Sequence, residues 1–236
     1  MMNLPVLRTL LLLSILFASY ASEASQDYTV LRINTVTQDL QLFWHDDKGI
    51  PFQRFDRLAS WLQKKGKKLV FAMNAGMYHA DLSPVGLLVQ NGVQIKSLNL
   101  TGGKGNFFLK PNGVFVVSQT GPKVVDATEY GKHSKGVIWA TQSGPLLLKN
   151  GAVHPKLNPM STSRLIRNGV GVSGREAIFV ISEKPVSFYE FALYFRDVLK
   201  CENALYLDGV ISGIYSDETG RNDKRASYGP IVGVTR

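Results

Sequence analysis

The spacing of apolar residues changes period along the chain. "YTVLRINTV" from Tyr28 and "DLQLFWHD" from Asp39 alternate apolar with polar positions, which predicts two half-buried strands. "PFQRFDRLASWLQKKGKK" then sets Phe52, Phe55, Leu58, Trp61 and Leu62 on one helical stripe, with Gly66 as its stop. From Leu69 the period returns to two. "VGLLVQNGVQIKSL", "NFFLKPNGVFVV" and "GPLLLKNGAVHP" each hold an Asn-Gly between apolar runs, which predicts three hairpins with type I′ turns. "RNGVGVSG" has a fourth Asn-Gly, but its glycine density points to a loop or a bulged strand entry. "EAIFVIS" predicts a strand. "SFYEFALYFRDVLK" predicts a helix opened by a Ser187/Glu190 capping box, and "NALYLDG" and "YGPIVGV" predict the last strands. The expectation is one α+β domain over residues 22–236: strand-dominated, with antiparallel hairpins in a mixed sheet and at least two helices covering one face.

The first residues follow another rule. One basic residue, Arg8, precedes the apolar run Thr9 to Phe17, and "ASYASEAS" then offers small-residue cleavage positions. Residues 1–21 therefore read as a signal peptide, too short in its apolar run for a spanning helix, and the expected location is the periplasm or outside a bacterial cell. Past residue 21 no stretch is long and apolar enough to cross a membrane, so no further span is expected. Cys201 is the only cysteine, so no internal disulfide is available and the residue reads as a small buried hydrophobe.

Charge narrows the range of partners. The net charge is +9, and between Leu82 and Arg175 the only acids are Asp126 and Glu129, against eight lysines and three arginines. Such a middle attracts anions or is a general surface bias. Nucleic acid is not expected, because no recognised motif and no interleaving of aromatic with basic residues is present.

Polar groups recur where apolar strands end, which is where rigid scaffolds display functional side chains. "LVFAMNAGMYH" delivers Asn74, Tyr78 and His79; "VIWATQSGP" delivers Gln142 and Ser143; "STSRLIRNGVG" delivers Arg164 and Arg167; "IFVISEK" delivers Glu183; and "ALYLDGVIS" delivers Asp208 and Ser212. Asp208 follows a buried-strand pattern, so its carboxylate must be paired, hydrogen-bonded or shifted, either for chemistry or for capping its own turn. Arg164 and Arg167 are equivalent by charge, and either has the fork to hold a phosphate or carboxylate. His79 is placed for acid–base work or for a structural hydrogen bond. Ser143 lacks the nucleophile-elbow context. His79, Asp81, His133 and His154 lack zinc-ligand spacing, and no cofactor is expected, a hard cation such as calcium at Asp208 being an open alternative.

"MNAGMY", "QSGPLLLKNG", "RNGVGVSGREAIFVISE" and "NALYLDGVIS", in this order and spacing, resemble the phosphodiester glycosidase family from about Lys68 to the C-terminus, and within it an exported bacterial branch. That family includes a lysosomal enzyme that removes N-acetylglucosamine from a sugar phosphodiester on mannose. The resemblance implies a hydrolase acting on an anionic sugar phosphate or glycan. It implies substrate-binding roles for Asn74, Gly76, Tyr78, Ser143, Gly144, Arg167, Gly209 and Ser212, with Arg167 on the phosphate; His79, beside Tyr78, is expected to hydrogen-bond sugar or phosphate oxygens. Asp208 is implied as nucleophile or base, with Glu183 as its partner. This sequence departs from the family's glycine-rich loop at Val210 and Ile211. A glycan-binding protein without turnover and a metal-dependent phosphodiesterase are the rival readings.

Overall fold

A computed structural model describes residues 27–208, 211–224 and 227–236. The signal-peptide reading of residues 1–21 lies outside the described residues, as does Gly209. The chain begins with β1 (Tyr28–Asn34), β2 (Asp39–Phe43), helix α1 (Phe55–Lys64) and β3 (Leu69–Asn74). Next come β4 (Leu88–Gln90), β5 (Val93–Lys96), β6 (Gly113–Ser118), β7 (Gly121–Asp126), β8 (Val137–Ser143), β9 (Leu146–Lys149) and β10 (Ala152–Val153). The last part holds β11 (Asn168–Ser173), β12 (Glu176–Ser182), helix α2 (Phe188–Leu193), β13 (Asn203–Asp208), β14 (Ile214–Ser216), β15 (Arg221–Asn222) and β16 (Ile231–Thr235).

The strands form three sheets. Sheet I has the order β1-β12-β11-β13-β9-β10, sheet II β15-β14-β3-β16-β2, and sheet III β5-β4-β8-β6-β7. Every pairing within these sheets is antiparallel, so the expected mixed sheet resolves into three antiparallel ones. The strand-dominated α+β class stands.

Alternation along the strands explains the layering. β12 sends Ala177, Phe179 and Ile181 to a central core that also receives Phe71 and Met73 of β3 and Phe115 and Val117 of β6. Ile178 and Val180 point the other way and meet Phe191 and Phe195 under α2. Sheet II is covered by α1 through Phe55, Leu58 and Leu62. Sheet III is covered by Ala127 and Tyr130 of a 3-10 turn, Ala127–His133. The two helices thus cover different sheets, a correction to the expectation that they share a face. Both behave locally as predicted. Gly66 takes a φ of +73° beyond α1, and Ser187 and Glu190 form the reciprocal capping box of α2, which winds on as a π turn over Tyr194–Val198.

Two of the predicted hairpin turns are present. Asn91-Gly92 and Asn150-Gly151 both carry positive φ at each residue, between β4 and β5 and between β9 and β10. Asn112-Gly113 is not a turn. Asn112 is buried and donates through Nδ2 to the Phe107 carbonyl, while Gly113 opens β6 with Leu146 too close for any side chain there. Asn168-Gly169 is a bulged strand entry. No helix among the described residues is long and apolar enough to cross a membrane.

Candidate functional site

The ends of strands from all three sheets converge on one buried polar cluster. β3 ends at Asn74, β8 at Ser143 and β13 at Asp208, and β11 starts at Asn168. Asn74, Ser143 and Asn168 have no exposed surface. Asn168 and Asp208 face each other across the β11–β13 ladder.

Asn168 links the cluster. Its Nδ2 donates to both the carbonyl and the Oδ1 of Asn74, each at 3.0 Å, and its Oδ1 accepts the backbone N–H of Asp208 at 2.8 Å. Asn74 Oδ1 also accepts the Gly213 N–H at 2.9 Å. Backbone N–H groups only donate, so both amide orientations are fixed and do not rest on a choice between N and O. Asn74 Nδ2 is left buried with no acceptor among the described residues. Ser143 Oγ donates to the Leu207 carbonyl at 2.9 Å, and Ser212 Oγ lies 2.9 Å from the Asp208 carbonyl. Asn168 is not among the site residues the sequence singles out, although the bulged strand entry expected at "RNGVGVSG" places an amide there.

Tyr78 joins this cluster. It is partly buried, its hydroxyl donates to the Ser227 carbonyl at 2.9 Å, and its ring lies against Gly229. Burial first and the nearby Asp208 charge second push its phenol above the ordinary range. Gly76 is required sterically, since a Cβ there would collide with the Gln142 carbonyl oxygen. Gly144 likewise packs on the segment from Phe107 to Asn112, with a Cβ falling 2.7 Å from that of Asn112. Gln142 acts as a staple: its Oε1 accepts the N–H groups of Leu87 and Asn99.

The structure separates the two arginines. Arg164 is exposed and pairs with Glu190 at the start of α2. Arg167 is fully buried. Its Nε donates to the Val186 carbonyl at 2.8 Å, Nη1 to the Tyr206 hydroxyl at 3.2 Å and Nη2 to the Ser163 carbonyl at 3.2 Å. The guanidinium lies 3.8 Å from the centre of the Phe188 ring. Burial pulls its pKa down, and among the described residues no carboxylate comes within ion-pair distance. Tyr206 connects it electrostatically to Asp208: burial raises the phenol's pKa most, Arg167 opposes, and Asp208 adds.

Two expected members lie apart. His79 is exposed on a short loop, where its N–H bonds the Ser83 carbonyl, while Asp81 Oδ1 accepts from the N–H and Oγ of Ser83. Those two polar residues make the turn. Glu183 is held by Arg221 and by the Thr29 hydroxyl. It follows β12, two strands from β13, a lateral backbone separation of about 10 Å from Asp208. Arg221 also pairs with Asp223, whose Oδ2 accepts the Ile214 N–H at 3.1 Å. Both were missed in the sequence, because the pairing spans distant segments. Ile211 packs against the α1 cluster. A cavity of about 620 Å³ lies at the opposite end of sheet I, lined by residues such as Lys123, Lys149, Ser173 and Glu202. Lys149 in its lining pairs with Asp126 and Glu129, and none of Asn74, Ser143, Arg167 or Asp208 lines it, so the strand-end cluster is the better candidate.

The sequence profile of the phosphodiester glycosidase family matches residues 67–227. The uncharacterized protein YigE of Escherichia coli K12 is 36% identical over 212 residues, 89% of this chain and 82% of that one. Among solved structures, the catalytic domain of zebrafish N-acetylglucosamine-1-phosphodiester alpha-N-acetylglucosaminidase, auto-inhibited by its pro-peptide, superposes with a TM-score of 0.65 at 12% identity, covering 88% of this chain and 76% of that one. A hypothetical protein from Synechocystis gives a TM-score of 0.55 at 14% identity, over 91% of this chain and 60% of that one. These two likenesses establish the shared fold.

Proposed function

This chain belongs to the phosphodiester glycosidase family, and on that premise we propose that it hydrolyses the C–O bond joining C1 of a sugar to a phosphodiester. The observation that carries the reading is the position of Asp208: a carboxylate at the meeting point of three sheets, its backbone held by Asn168, with Tyr78 and the Arg167–Tyr206 pair within reach of its charge. Asp208 acts as nucleophile or as base on water. In the second form water attacks C1, the C1–O bond breaks, the phosphomonoester leaves as an anion, and Asp208 takes the proton. Because that leaving group is already a stable anion, little general-acid help is needed, and the site can work with one carboxylate. This suits Glu183, whose carboxylate is engaged by Arg221 and the Thr29 hydroxyl.

Arg167 contributes as a buried cation behind Tyr206, a fixed positive field that favours the departing phosphate without touching it. The Nδ2 of Asn74 is a fully buried donor with no acceptor among the described residues. The leader-like pattern of residues 1–21 supports an exported compartment for this reaction.

The test is a panel of sugar-1-phosphodiesters, including UDP-N-acetylglucosamine, followed for free sugar and phosphomonoester by mass spectrometry. Wild type is expected to release both, with Asp208→Asn slower by roughly 10³-fold or more. Undiminished release by Asp208→Asn, or no release from any member, would overturn the proposal, and loss of activity with EDTA would favour a metal-dependent phosphodiesterase.

A further inference from the structure

The β11–β13 ladder loses its regular register where it carries Asp208. Asn168 pairs with Asp208 but Gly169 pairs with Tyr206, so Leu207 is an extra residue, the signature of a β-bulge. A bulge frees backbone groups from the ladder, and in a buried place they must be satisfied otherwise. Here side chains from other strands and loops do it. Asn168 Oδ1 takes the Asp208 N–H, Ser143 Oγ from sheet III takes the Leu207 carbonyl, and Ser212 Oγ takes the Asp208 carbonyl. Asn168 is itself held by Asn74 at the end of β3, in sheet II. All three sheets therefore clamp the same two residues.

We propose that Asn168, Ser143 and Ser212 are positioning residues that clamp this bulge and aim the Asp208 carboxylate, and that neither serine is a ligand of the substrate. Bulges re-aim side chains, and a bulge braced by neighbouring side chains shifts when one is removed. The hydroxyl of Ser143 is fully buried and already spent on Leu207, so it has no donor left for a sugar or phosphate oxygen. Asn168 has the same character: both ends of its amide are committed to protein groups. The kinetic consequences rest on the hydrolase reading given above; the structural ones do not.

Two readouts test the clamp. The first is amide hydrogen exchange by NMR on wild type, Asn168→Ala, Ser143→Ala and Ser212→Ala, with the Tyr206 N–H as internal control because it bonds the Pro145 carbonyl instead. Loss of Asn168 should speed exchange at the Asp208 and Gly213 amides by ~10-fold while Tyr206 keeps its protection. Unchanged exchange at Asp208, or a uniform rise that includes Tyr206, overturns the clamp. If Asn168→Ala does not fold, the two serine variants remove less and answer the same question, through the Asp208 amide in each. The second readout is kinetic. Each variant should lower kcat, with Asn168→Ala down by about 10²-fold, and leave KM within a few-fold. A raised KM with unchanged kcat would make the serines substrate ligands and refute the assignment. Failure of wild type on every substrate would defeat the hydrolase reading, while the exchange experiment would still decide the clamp.

Discussion

Replacing Arg167 separates a buried structural cation from a ligand-facing one. In Arg167→Met the hydrocarbon volume is largely kept, while the Tyr206 hydroxyl loses the donor it faces at 3.2 Å. Leaving that buried group unpaired costs about 1–3 kcal/mol. Losing the stack on Phe188, 3.8 Å away, costs about 1–2 kcal/mol more. The Val186 carbonyl keeps the Leu165 N–H, and water can reach Ser163, so those two sites add little. Relief of guanidinium desolvation offsets part of the sum. The net expectation is a loss of about 2–4 kcal/mol, or roughly 5–15 °C in Tm for a domain of this size. Arg167→Lys keeps the charge but has neither fork nor flat face, and its ammonium is harder to dehydrate, so it should lose at least as much. Urea unfolding followed by circular dichroism measures both. A Met variant within about 0.5 kcal/mol of wild type, or a Lys variant clearly more stable than Met, would refute the reasoning.

Further predictions follow from other contacts. Gly76→Ala should cost about 1–3 kcal/mol, because the new Cβ meets the backbone oxygen of Gln142 as well as the Thr141 hydroxyl; urea midpoints would show it. Cys201, buried and with its thiol pushed up to about 11, should react with a thiol reagent at pH 8 only after unfolding. Burial raises the Asp126 carboxyl, but the Lys149 ammonium and the Thr128 donors outweigh it and hold the group below its usual range. A depressed carboxylate adds stability above its unfolded pKa of about 4 and loses it as pH falls, so wild type should lose more stability than Lys149→Met between about pH 5 and pH 3.

Much of the scaffold was legible because it depends on local chemistry. Asn-Gly at 91–92 and 150–151 tolerates the positive φ that a tight hairpin needs, and the capping box at Ser187 and Glu190 is complete within four residues. The misread Asn112-Gly113 shows the limit. Its local signal is the same, but the asparagine side chain is used inside, on Phe107. The site divides along the same line. Strand-end polar residues marked Asn74, Ser143, Asp208 and Ser212, which the fold brings together. Glu183 and His79 share that local pattern but end elsewhere, one on Arg221 and the other in an exposed turn. Arg164 and Arg167 differ by burial, which charge cannot report. The role of Asn168 depends on a bulge between β11 and β13, 40 residues apart, and on Asn74, 94 residues away. Only tertiary pairing reveals it.

On the proposed mechanism, water attacks the sugar carbon at a site governed by Asp208. Hydrolysis in oxygen-18 water, with both products weighed by mass spectrometry, addresses it most directly. The label is expected on the released sugar and not on the phosphomonoester. Label on the phosphate would mean P–O cleavage and would rule out hydrolysis at the sugar carbon.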